Sequence, residues 1–270
     1  MYHGNLANIL KLKKPRYVTR VVFFIFSSIF LTLLFSCEDY REKHSIDLTN
    51  RIDPDIVLVN IGDGNRESIA KLLLLINNCK PAVIGIDSWF IGKKDQQQDS
   101  ALIKALDTIQ NEVLAYYIDS TKKVVKSDSV FSSLSKNEGL VAVEEIDGLA
   151  SAIKPIQMVN KVEHSLFALK IVEQWRPGFK TMLKINQVIP IKYTRTLDEF
   201  WNFDYWELLE VDCQILRNKI VLVGYLGPSN EDKHFTPIRI IKKYEAKDPD
   251  TYGLVIIANE IRTILLTEKK

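Results

Sequence analysis

Residues 55–90 dictate the architecture. Ile56-Val57-Leu58-Val59-Asn60-Ile61 is a short β-branched run that stops at Gly62-Asp63-Gly64-Asn65. Glu67–Asn78 then places Ile69, Leu72, Leu73 and Ile76 on one helical face, and Pro81-Ala82-Val83-Ile84-Gly85-Ile86-Asp87 is a second apolar run. Apolar strand, amphipathic helix and apolar strand on short connections make a βαβ unit. Neither strand alternates polar with apolar residues, so both of its faces are covered, as in a parallel sheet. In an open parallel sheet, ligands bind just past the carboxyl ends of the strands. Asp63 and Asp87 stand at those ends and are the first candidate site residues.

The same alternation continues downstream. The pattern predicts a helix over Ser100–Ile109 capped by Asp99, a strand over Glu112–Ile118 and an irregular polar stretch over Asp119–Lys136. It then predicts a strand over Gly139–Val143, a turn over Glu144–Gly148 and a helix over Ser165–Gln174. Met182–Ile185 and Val188–Tyr193 read as a hairpin around Asn186-Gln187. Thr196-Leu197-Asp198-Glu199 has capping-box spacing and predicts a helix carrying Phe200, Trp201, Phe203, Tyr205, Trp206, Leu208 and Leu209. Lys219–Gly224 is a further buried strand. It leads into a loop, Tyr225–Pro237, that holds Glu231, Asp232, His234 and Thr236, and Gly253–Leu266 is the last helix. The expected fold is therefore α/β, with a mixed, largely parallel sheet flanked by helices and preceded by one N-terminal membrane or signal segment.

That N-terminal segment is Val21–Ser36, which contains no charge. The arm before it holds Lys11, Lys13, Lys14, Arg16 and Arg20 and no acid, so it stays cytoplasmic while the rest crosses. Cys37 follows Leu34-Phe35-Ser36, which has the outline of a lipoprotein cleavage box, so Cys37 is a candidate lipidation site and an uncleaved anchor is the alternative. The expected organisation is a basic arm (1–20), an anchor or lipoprotein signal (21–37), a polar tether (38–51) and an extracytoplasmic domain (52–270). The net charge of the whole chain is +2, and without the basic arm the rest is slightly acidic, which leaves no basic footprint for nucleic acid. Only Cys79 and Cys213 remain in the domain. They are too far apart to read as a disulfide framework, and Cys79 reads as a buried thiol.

Enzyme motifs are missing. There is no nucleophile elbow, phosphate loop or metal-binding helix signature, and His3, His44, His164 and His234 lack ligand spacing. The expectation is a protein that is not an enzyme and uses neither cofactor nor metal. Asp63, Asp87 and Asp232 each follow an apolar strand and converge if those strands are parallel neighbours. The competing reading is that each caps a helix or satisfies loop amides. Thr236 joins them because Pro237 pre-sets its conformation. Arg66 opens the first helix, where a cation gains nothing from the helix dipole. It therefore needs a partner, expected to be a neighbouring aspartate, with an anionic ligand as the lesser reading.

Several pieces, taken in order, resemble the CHASE2 family of extracytoplasmic sensor domains. They are Ile56–Asp63, Arg66, Ala82–Asp87 with Phe90, and Asp99-Ser100-Ala101-Leu102. Gly139, Asp147-Gly148 and Ser165-Leu166-Phe167-Ala168-Leu169 follow. The strongest stretch is Asn218–Gly224 with Asp232 and Thr236-Pro237, closed by Gly253-Leu254-Val255-Ile256-Ile257-Ala258-Asn259. The resemblance implies a bacterial sensory module facing the periplasm or the outside, attached to the membrane, that binds an unidentified small ligand and reports through a signalling or envelope partner. Such receptors continue into further membrane helices and an output module, whereas this chain stops at Glu268-Lys269-Lys270, as a stand-alone member or an incomplete chain. The loop before Arg66 is shorter than the family pattern, and Leu149-Ala150 follow Asp147-Gly148 where an arginine is usual. Two other functions stay open. One is an envelope scaffold docking through the Phe200–Trp206 aromatics. The other is a metal-assisted hydrolase built on the aspartates.

Overall fold

A computed structural model describes residues 51–179, 182–238 and 248–268. The basic arm, the apolar run, Cys37 and the tether up to residue 50 lie outside the described residues. Among the described residues no helix is long and apolar enough to cross a membrane. Residues 52–270 form one compact unit.

The strands of the central sheet are β1 (Ile56–Asn60), β2 (Val83–Ile86), β3 (Glu112–Ile118), β4 (Val124–Val125), β5 (Glu138–Leu140), β6 (Trp201–Asp204) and β7 (Ile220–Gly224). Their order is β6-β1-β7-β2-β3-β4, with β5 also lying against β3. Every pairing is parallel except β3 with β4. The helices are α1 (Arg66–Asn78), α2 (Gln96–Thr108), α3 (Phe167–Trp175) and α4 (Gly253–Leu265).

Two cores explain why the central strands read as unbroken apolar runs. Ile56, Leu58, Ile220 and Leu222 face α3 and α4, while Val57, Val59, Val221 and Val223 face α1 and α2. Each strand thus buries both sets of alternate side chains. β7 inserts between β1 and β2, so the three strands expected to be parallel neighbours are adjacent.

The amino-terminal edge of the sheet is braced. Buried Asp53 accepts the main-chain N–H groups of Asp55 and Ile56 (both 3.0 Å). Its other oxygen forms ion pairs with Arg195 (3.0 Å) and Arg262 (3.3 Å). Cys79, after α1, is disulfide-bonded to Cys213, in the turn before β7. This corrects the expectation of a buried thiol. A separation of 134 residues carries no spacing signal, and only the fold brings the two sulfurs together.

Other departures have local causes. Asp95, not Asp99, caps α2, because its carboxylate reaches the N–H groups of Gln97 and Gln98. The capping box at Thr196–Glu199 is present, but it opens only a 3-10 turn, Leu197–Glu199. The aromatic stretch expected to be helical instead becomes β6, because edge pairing with β1 outweighs its helical spacing. Ile189–Pro190 pairs antiparallel with Ala152 and Ile153 rather than with residues 182–185, so the expected hairpin is absent there. Glu144–Ile146, expected to be a turn, is a strand paired with Leu149–Ile153.

Candidate functional site

The carboxyl ends of β6, β1 and β7 enclose a crevice of about 430 Å³. Asn60, the last residue of β1, organises it. Its Oδ1 accepts the N–H groups of Gly62 (2.9 Å) and Leu226 (2.8 Å), and its Nδ2 donates to Asp204 Oδ1 (2.6 Å). One side chain therefore ties together the loops after all three strands. The Gly62 turn, at φ +51°, carries Asp63 to the exposed rim. Asp204 ends β6, and its main-chain N–H donates to Glu207 Oε2 (2.7 Å). Tyr205, Trp206 and Tyr225 contribute aromatic wall, and Ile61, Ile69 and Leu72 an apolar floor. The Tyr225 ring lies over Gly227, where an added Cβ would sit 2.3 Å from it, and its hydroxyl accepts the Ser229 N–H (3.1 Å).

Across β7 lies a second acidic group, of half-buried Asp87 and Asp232 and buried Glu260. Asp87 follows β2, its N–H donates to Val223 (2.8 Å), and its Oδ1 is sealed from solvent without a hydrogen-bond partner. Burial, reinforced by the charge of Asp232, pushes the Asp87 carboxyl up to about 7. Burial also raises Asp232, against the opposing pull of His234 and the Gly253 amide. The Asp232 carboxylate packs against Gly253 at the start of α4, where a Cβ would stand 2.7 Å from it. Glu260, on the buried side of α4, is pushed up to about 8 by burial and then by Asp87. Protonated carboxyls are the form this environment favours.

The five candidate residues thus fall into separate places. Asp63 lines the crevice. Asp87 and Asp232 are mutual neighbours beneath α4. Thr236 is buried, with its hydroxyl bonded to that of Thr251 (2.8 Å). Arg66 is buried and pairs with Asp99 (2.5 Å), donates to the Ile91 carbonyl (3.0 Å) and stacks on the Phe131 ring at 4.8 Å. Its partner is an aspartate, as expected, but one outside the crevice. Sequence reasoning missed Asn60, Asp204, Tyr225 and Glu260. A lone acid in the apolar Gly253–Leu265 helix was the available signal for Glu260. Asp204 was hidden by the helical reading of β6. Among the described residues no group of three or more His, Cys, Asp or Glu side chains is arranged to hold a metal ion.

The family model described as the CHASE2 domain matches residues 21–270. The chain belongs to the CHASE2 family. CHASE2 is a family of sensory, extracytoplasmic domains, and the order of strand ends described above is this CHASE2 domain's version of that module. No curated protein and no solved structure matches the chain.

Proposed function

We propose that this CHASE2 domain is a membrane-tethered, extracytoplasmic ligand sensor. Its small-molecule effector occupies the crevice between β6, β1 and β7, and it reports through a partner protein. The observation that carries this reading is the crevice itself. It has the volume of a small-molecule site and sits where open parallel sheets take ligands. Its three loops are fixed to one side chain, Asn60. The charge-free run behind a basic arm supports the tether. The Cys79–Cys213 disulfide fits an oxidising compartment.

Ser68 lines the crevice from the first turn of α1, half-buried and outside both cores, so Ser68→Trp fills the space without entering either of them. The full-length chain in non-ionic detergent, mixed with small molecules extracted from culture medium, tests the reading. A fraction that raises the melting temperature of the wild type and not of Ser68→Trp supports it. A fraction that stabilises both equally refutes the crevice as the sensing site.

The scaffolding reading retains one favourable observation. Trp206 and Leu209 are 65% and 68% exposed beside the edge strand β6, whereas Phe200 is buried. Partner capture that is lost in Leu209→Ser while ligand stabilisation persists would favour it.

A further inference from the structure

We propose that the crevice selects a small organic cation, an ammonium group carried on a compact apolar body. This rests on the sensor reading of the same crevice. The lining contains two carboxylates and no lysine, arginine or histidine. The carboxylates come from different elements, Asp63 from the turn after β1 and Asp204 from the end of β6. Asp204 is pre-positioned: Asn60 holds one of its oxygens and Glu207 its main-chain N–H. Lys71, on α1 nearby, is engaged by Glu67 at 2.7 Å.

The walls match the charges. Tyr205, Trp206 and Tyr225 present aromatic surface, and a cation over such faces is stabilised by the ring quadrupole, more so when desolvated. The Tyr225 ring is held by its own hydroxyl and by contact with Gly227, so it costs little to order on binding. The competing ligand classes fit poorly. An anion meets two carboxylates and no cation. A polyhydroxylated ligand meets the floor of Ile61, Ile69 and Leu72, which offers its hydroxyls no partners. A bare metal ion lacks a ligand set there.

The test uses the full-length chain in non-ionic detergent, titrated with choline, with its neutral isostere 3,3-dimethyl-1-butanol, and with acetate. Tryptophan fluorescence and melting temperature are the readouts. Choline should bind saturably, more weakly as salt rises, and at least about tenfold more tightly than the isostere. Asp63→Asn and Asp204→Asn should each weaken choline by about tenfold, and Asp63→Asn, on the exposed rim, should do so while leaving the ligand-free melting temperature unchanged. Equal binding of choline and isostere overturns the cation inference, as does preferential binding of acetate, choline binding indifferent to both aspartates, or no saturable choline binding. None of these touches the crevice reading, which the Ser68→Trp variant judges independently on the extracted ligand. Choline binding that survives Ser68→Trp lies outside the crevice and overturns the cation inference alone.

Discussion

The buried acids beneath α4 make the stability of this domain depend on pH in an unusual direction. The folded Asp87 carboxyl titrates near 7 instead of its ordinary 3.8, and Glu260 near 8 instead of 4.5, each because burial penalises the charge. A raised folded value means that the native state keeps a proton which the unfolded chain has already released. The stabilising contribution is therefore complete below about pH 4 and is lost as pH rises through 7 to 8. At 1.36 kcal/mol per unit, the shift at Asp87 alone corresponds to roughly 4 kcal/mol. The contribution of Glu260 is not simply added to it, because part of its rise comes from the charge of Asp87. His164 acts in the opposite sense. Burial lowers it, so its contribution is lost as pH falls below about 6.5, which offsets part of what the two acids contribute there. Urea unfolding of the full-length chain, followed by tryptophan fluorescence from about pH 5 to about pH 8.5, should show the midpoint falling up to about pH 8 and levelling off above it. Asp87→Asn, which keeps the shape and removes the titration, should be close to wild type at the acid end and more stable at the alkaline end. A wild-type midpoint that rises over this interval, or an Asp87→Asn slope equal to the wild type's, would refute the reasoning.

Three further outcomes are expected. Arg66→Ala removes a buried ion pair, a carbonyl contact and a stacked ring, and should cost about 3 kcal/mol in urea unfolding without weakening crevice binding, since Arg66 lies outside the lining. Cys79 and Cys213 should resist alkylation until reduced. The double serine variant should lose roughly 2–5 kcal/mol, read from the same unfolding curves. Cys37→Ala should leave the chain membrane-bound if residues 21–37 are an uncleaved anchor, and should block lipid attachment and maturation if Cys37 is the lipid site; fractionation with mass spectrometry separates the two.

The central strands were legible because burial on both faces writes continuous apolar runs, and Glu112–Ile118 is a strand over the expected span. The edge was not. β6 pairs with one neighbour only, leaves Trp201 exposed, and follows a true capping box that favours a helical reading. The site was half legible for a topological reason. The sequence places Asp63 and Asp87 at strand ends but does not reveal that β7 separates them, so one lines an open crevice and the other packs with Asp232 and Glu260, its Oδ1 sealed from solvent. Asn60 gave no pattern to find, because its importance lies in contacts reaching 144 and 166 residues along the chain.

The two edges of the sheet are secured in different currencies. At the amino-terminal edge stand a covalent bond, Cys79–Cys213, and the buried charge cluster of Asp53 with Arg195 and Arg262. At the carboxyl-terminal edge the loops are linked by hydrogen bonds alone, those of the Asn60 amide and that of the Ile61 N–H to the Gly224 carbonyl (2.9 Å). The covalent and ionic fastenings therefore stand a strand's length from the crevice, roughly 16 Å for five residues. At the crevice end, Gly224 of β7 meets Leu254 of α4 with no room even for a methyl group between them. Reduction of the disulfide and weakening of the Asn60 hydrogen bonds therefore act on opposite ends of the same strands.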